Sequence, residues 1–296
     1  MNSKEILAPE VAAKLERFEL RARLIVEGFI TGLHKSPYHG FSVEFLEHRE
    51  YLPGDPIRHI DWKVYGKTDR YYIKKYEEET NLKAYILLDC SKSMGFSSGT
   101  ITKLEYGKTL TSALTYLMIR QKDGVGLLTF SNKILSYISP RATSVHMNTI
   151  FHELDVSDPQ SKTNTSEVLH NLADRIKKRG LIILITDLLD DPEKIMLGLQ
   201  HFRHEKHEVV LFHLLDQQEV DFSYNRKTRF VDMETGEEII TQPWEIRKFY
   251  QNKIEELKKY FSAKCHNAYI DYVPVTTSTS YDTALFAYLI KRQRMM

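Results

Sequence analysis

Five apolar runs dominate the chain from residue 83 onward: KAYILLD (83–89), GVGLLTF (124–130), GLIILITD (180–187), HEVVLFHLLD (207–216) and AYIDYVPV (268–275). Each is short, β-branched or aliphatic almost throughout, and lacks strict alternation of polar and apolar residues. Strands of that kind are covered on both faces. Between them lie stretches with helical spacing: Leu104 to Arg120, Ser166 to Lys178, Pro192 to Phe202, Trp244 to Phe261 and Tyr281 to Arg292. Strands alternating with helices predict an α/β fold, Rossmann-like, with a mostly parallel central sheet flanked by helices. RFVDMETGEEII (229–240) carries a turn signal at Glu234-Thr235-Gly236 and predicts an inserted hairpin.

The segments ahead of the sheet differ in texture. Residues 1–33 form an N-terminal helical segment, with helical apolar spacing from Val11 to Ile30 predicting one amphipathic helix. Residues 34–80 are punctuated by Gly and Pro and rich in Tyr, Trp, Arg and Asp, which predicts a small β-rich subdomain with a turn at Pro53 to Asp55. Arg49, Asp55, Arg58, Asp61 and Lys63 mix signs, and Trp62 and the nearby tyrosines suggest burial, so this segment is read as an ion-paired interface. The sheet domain is expected over 81–296.

Charge and cysteine count narrow the partners and the compartment. The 296 residues carry a formal net charge of +1, which argues against nucleic acid, since such domains usually hold a basic excess. Two cysteines, Cys90 and Cys265, build no disulfide framework, so a reducing compartment is expected. No stretch approaches the ~20 apolar residues of a membrane span, and the N-terminus lacks a signal-peptide core; cytoplasmic location is the expectation.

The chemistry concentrates in YILLDCSKSMGF (85–96), where a carboxylate and two hydroxyls follow an apolar strand. This D-x-S-x-S could be a nucleophile loop, a cation site or a polar strand-end turn. Ligands in such sheets bind outside the carboxyl ends of the strands. Asp89, Ser91 and Ser93 leave one such end, Asp187 closes LIILITD, and Thr163 in SKTNTSEVL precedes a helix that must start near the same edge. Singly these are weak: Ser161 or Thr163 can cap a helix and Asp187 can form a turn. Together they make an all-oxygen set, which suits Mg2+ or Mn2+.

The rival reading is a metal-dependent phosphohydrolase with Asp89 as nucleophile, as in haloacid-dehalogenase phosphatases. That chemistry wants a second carboxylate two residues on as general acid, and the position holds Ser91. Cys90 is expected to be buried and inert. His201, His204 and His207 in HFRHEKHE have three-residue spacing, but a helix end and a strand start should send them apart.

DCSKS, TNT and LITD resemble, in that order, the metal-ion-dependent adhesion site of von Willebrand factor A domains. HREYLPGDPIRHIDWK, running on into YEEETNLKAYILLDCSKSM, resembles the bacterial DUF58 family. The resemblance implies a six-stranded sheet with one short antiparallel edge strand, here KILSYIS (133–139). It implies that Ser91, Ser93 and Thr163 contact a metal while Asp89 and Asp187 hold it directly or through water. It further implies a protein-binding rather than enzymatic module, acting with a MoxR-type AAA+ ATPase as adaptor or chaperone-like partner. Many members also begin with two membrane-spanning helices, which this sequence does not show.

Overall fold

The computed structural model describes residues 8–34, 48–50, 65–66, 70–74, 82–159, 165–233 and 235–295. In chain order, α1 (Pro9–Ala12) and α2 (Phe18–His34) precede a two-stranded antiparallel pair, β1 (His48–Glu50) and β2 (Tyr72–Lys74). There follow β3 (Lys83–Asp89), a 3-10 turn (Lys92–Gly95), α3 (Lys103–Arg120), β4 (Gly124–Phe130), β5 (Ile134–Arg141), α4 (Ser144–Val156) and α5 (Thr165–Arg175). The chain continues through β6 (Leu181–Thr186), α6 (Pro192–His204), β7 (Glu208–Leu215), α7 (Gln217–Asp221), β8 (Thr228–Val231) and β9 (Glu238–Thr241). It closes with α8 (Pro243–Asn267), β10 (Asp271–Thr276) and α9 (Tyr281–Met295).

The five apolar runs and the expected edge strand form one six-stranded sheet in the order β10-β7-β6-β3-β4-β5. All neighbours pair in parallel except β5, which runs antiparallel to β4 at the edge, where the KILSYIS run was expected. Side chains two apart on a strand share a face. Ile86 and Leu88 accordingly face one core with α2, α3, α4 and α9, while Tyr85 and Leu87 face a second core with α5, α6 and α8. Residues on both faces of β3, β4 and β6 are buried, which explains their unbroken hydrophobicity. Close approach is enforced at Gly180, where a Cβ would lie 2.2 Å from the Lys83 carbonyl oxygen.

Three local outcomes differ from the sequence expectations. The helix expected from Val11 to Ile30 is two helices, broken at residues 13–17. The Arg21 guanidinium donates to the Ala13 carbonyl at 3.2 Å and to the Leu15 carbonyl, so it replaces the helical hydrogen bonds that the break removes. The helix α4 was not foreseen; Thr143 caps it by accepting from the His146 amide at 3.2 Å. The short α7 was missed for the same reason, a polar start without a long apolar stripe. Of residues 34–80, the β1–β2 pair is described; the turn at Pro53 to Asp55, Trp62, Arg58, Asp61 and Lys63 lie outside the described residues.

The predicted hairpin is present as β8–β9, with Arg229 opposite Ile240 and Phe230 opposite Ile239. Its root is fastened by an aromatic cluster in which Phe222 stacks on Phe230 and Tyr250, with Tyr224 edge-on to Phe222 and Phe230.

Candidate functional site

The chain passes from β3 outward to β4 and β5, then returns to place β6 on the other side of β3. That reversal makes the carboxyl ends of β3 and β6 a topological switch point, where open α/β sheets leave a crevice. The residues at this edge are polar, although everything below them is apolar.

Asp89, the last residue of β3, is fully buried. Its Oδ1 accepts from the Ser91 amide at 2.8 Å, a side-chain turn that reverses the loop. Its Oδ2 accepts from the Thr186 hydroxyl at 2.6 Å. The Ser91 and Ser93 hydroxyl oxygens lie 3.0 Å apart and are bonded to each other. Thr186 ends β6 and Asp187 follows it, buried. The next residue, Leu188, is held at φ 56, the left-handed region that a leucine rarely adopts. Its amide donates to Thr186 Oγ1 at 3.2 Å. Strained backbone of this sort persists where the surroundings fix it, often at sites.

A buried cation completes the edge. The Lys103 ammonium donates to Asp187 Oδ2 at 2.8 Å and to Glu219 Oε1 at 2.8 Å. Lys103 opens α3 and its side chain is wholly inaccessible, with the Phe96 ring 5.9 Å from Nζ. Glu219 belongs to α7, where its other oxygen accepts from the Asp216 amide at 2.7 Å in a capping box. Asp216 itself ties the loop after the serines to β7, accepting from the Ser98 amide at 3.1 Å and from the Ser98 hydroxyl.

Burial and the charge of Asp187 push the Asp89 carboxyl up to about 7, against the opposing hydrogen bonds from Thr186 and Ser91. Burial works against the Lys103 charge, but Asp187 and Glu219 outweigh it and raise the ammonium above its ordinary value. Burial likewise raises Glu219, with Lys103 pulling the other way. Behind the edge, burial holds His213 down to about 4, a neutral imidazole bonded through Nδ1 to the Tyr272 hydroxyl at 2.6 Å.

Of the residues singled out in the sequence, Asp89, Ser91, Ser93 and Asp187 gather at this edge; Thr163 and Ser161 lie outside the described residues. The helix they precede, α5, starts at Thr165 and feeds the amino end of β6. Sequence reasoning missed Thr186, Lys103, Glu219 and the strain at Leu188. Thr186 becomes visible only once β6 is known to lie beside β3. Cys90 is buried and its thiol is pushed up to about 12, by burial first and then by Asp89. The three histidines diverge: His201 meets His170 at 3.3 Å, His204 is exposed, and His207 bonds the Gly180 amide and the Ile176 carbonyl.

The hairpin leans on the same edge. A Cβ on Gly95 would lie 3.2 Å from Pro159 Cγ and 3.8 Å from Met233 Cε, so the hairpin end abuts the serine loop. Beyond Met233, Ile239, Ile240, Trp244 and Phe249 are exposed apolar side chains on β9 and the first turns of α8.

A mostly parallel sheet with one antiparallel edge strand and helices on both faces makes this a Rossmann-like α/β domain. The chain belongs to the family described as "Protein of unknown function DUF58", whose match spans residues 47–260. It is 25% identical over 232 residues to "Uncharacterized protein Rv1480" of Mycobacterium tuberculosis, covering 77% of this chain and 72% of that one. Among solved structures, it is similar to the conserved hypothetical protein BatB from Bacteroides thetaiotaomicron, with 19% identity, 73% of this chain and 100% of that chain covered, and a TM-score of 0.48. It is also similar to the SpRpn10 VWA domain, with 12% identity, 70% and 94% covered, and a TM-score of 0.40. Among the described residues no helix is long and apolar enough to cross a membrane.

Proposed function

We propose that this chain is a protein-binding module whose contact with its partner is completed by a divalent cation, Mg2+ or Mn2+, at the β3–β6 edge. The observation that carries the reading is the burial of Asp89 beside Asp187, with the Ser91 and Ser93 hydroxyls adjacent. The donor set fits such an ion. It is all oxygen, each carboxylate oxygen of Asp89 retains a second lone pair, and the burial and the Asp187 charge that raise Asp89 are what a cation would offset. Among the described residues no three His, Cys, Asp or Glu side chains are placed to ligate one ion, so serine hydroxyls and water would supply the remainder. Asp89, Asp187, Ser91 and Ser93 would hold the ion, with Thr163 as the fifth proposed contact.

An ion held largely by neutral ligands keeps much of its charge and attracts a further carboxylate. The partner is therefore proposed to be a protein presenting an acidic residue to the site. The family resemblance makes a MoxR-type AAA+ ATPase the partner to try. Turnover is disfavoured on chemical grounds. The second residue onward is a serine where phosphoaspartyl chemistry wants an acid.

The test is capture of the MoxR-type ATPase on immobilised protein, with and without chelator, beside a phosphoester hydrolysis assay. The reading expects capture that chelator and Asp89→Ala both abolish, and no hydrolysis above background. Robust phosphoester turnover lost in Asp89→Asn would replace it with the phosphohydrolase.

A further inference from the structure

Lys103 has no place in the five-residue set read from the sequence, yet it is a buried cation bonded to one member of that set, Asp187. Its ammonium is fully enclosed, 2.8 Å from Asp187 and 2.8 Å from Glu219. A lysine is almost never buried so completely without charged partners. We propose that Lys103 is a resident counter-cation that lets this edge stand folded without a divalent ion and, by the same contact, weakens the site's affinity for one. The inference rests on the metal-dependent reading above and adds a residue that would set its strength.

The physical argument is a competition for one carboxylate. A divalent ion at Asp89 and Asp187 draws on the Asp187 charge, and the ammonium already draws on it at hydrogen-bond distance. Two cations sharing a carboxylate repel each other, and burial leaves that repulsion weakly screened. Glu219 acts in the opposite sense. It takes part of the Lys103 charge and adds a negative charge of its own, so it favours an ion at the edge. It is fixed for this role by the α7 capping box, which holds its other oxygen on the Asp216 amide. Removing the lysine and removing the glutamate should therefore move ion affinity in opposite directions. A merely structural triad would lose stability, and with it binding, in both cases.

The experiment is titration of Mg2+ alone into the full chain, followed by calorimetry and by melting temperature, with wild type, Asp89→Ala, Lys103→Met, Glu219→Gln and the Lys103→Met/Glu219→Gln double variant. The double variant removes the ammonium together with the Glu219 charge, leaving Asp187 as the one charged member of the triad, and keeps the test open if Lys103→Met fails to fold. The expected result is a lower melting temperature for Lys103→Met in chelator, and Mg2+ binding tightened about tenfold or more, as removal of a nearby charge in a partly buried setting predicts. Glu219→Gln should bind Mg2+ more weakly than wild type, and the double variant more tightly than Glu219→Gln. If wild type binds Mg2+ and Asp89→Ala does not, but Lys103→Met binds no more tightly than wild type and the double variant no more tightly than Glu219→Gln, the role given to Lys103 is wrong while the cation site stands. Failure of wild type and every variant to bind Mg2+ would overturn both.

Discussion

Asp89 is an awkward residue to keep, and its awkwardness is measurable. Its folded pKa of about 7 lies above the ordinary value of 3.8, so the folded state holds the proton more tightly than the unfolded state does. The stabilisation this gives is complete below about pH 4 and is lost as pH rises through about 7. Without divalent ions, Asp89→Asn should therefore melt higher than wild type at pH 8, and the gap should close toward pH 5. Melting curves in chelator at the two pH values check this; an Asn variant less stable at pH 8 would show that burial and the Asp187 charge do not penalise the carboxylate. Asp89, Ser91, Ser93 and Asp187 were legible in the sequence because each ends an apolar run or follows it within a turn. Thr186, Lys103 and Glu219 were not. Their roles depend on strand order and register and on how α3 and α7 meet the edge, none of which a single sequence spells out. A buried lysine in a helix start reads, in sequence, as one more solvated charge.

At the scale of elements, β3, β4, β6 and β7 were read to within a residue at each end because burial on both faces leaves no room for polar positions, while the part-exposed β10 starts three residues later than its apolar run. The N-terminal region was read less well, because periodicity reports an apolar stripe and not where the helix breaks. The break is held by tertiary contacts of Arg21, which reaches the Ala13 and Leu15 carbonyls, pairs with Glu105 on α3 and donates to Thr109 at 3.3 Å. One guanidinium thus joins α1, α2 and α3. Arg21→Ala should cost about 3 kcal/mol, the low end for a broken buried ion pair because Glu105 is part-exposed. Arg21→Lys should recover little, since an ammonium has no planar fork to serve several acceptors at once. Urea unfolding of both variants measures this; a loss of under ~0.5 kcal/mol in Arg21→Ala would mean that the N-terminal helices are held by apolar packing alone. The hairpin β8–β9 was readable from its turn chemistry, but its lean toward Gly95 was not, since Phe222, Tyr224, Phe230 and Tyr250 meet only in the folded chain.

For the whole molecule, topology brings the pieces to one place. The return of the chain across β3 sets β6 beside it, and the two aspartates follow from that order. A net charge of +1 offers no general attraction to a polyanion, so on the proposed function specificity comes from the local field at this edge and the apolar surface beside it. The central claim is that this field belongs to a cation site. A ligand that binds the native state alone stabilises it by mass action, about 2.7 kcal/mol at a hundredfold excess over its dissociation constant. The most direct measurement is the melting temperature of the purified chain against Mg2+ and Mn2+ up to tens of millimolar, for wild type, Asp89→Ala and Thr163→Ala. The account predicts a rise for wild type that both variants largely lose. A wild-type melting temperature unmoved by either ion, with capture of its protein partner surviving chelator, would contradict it.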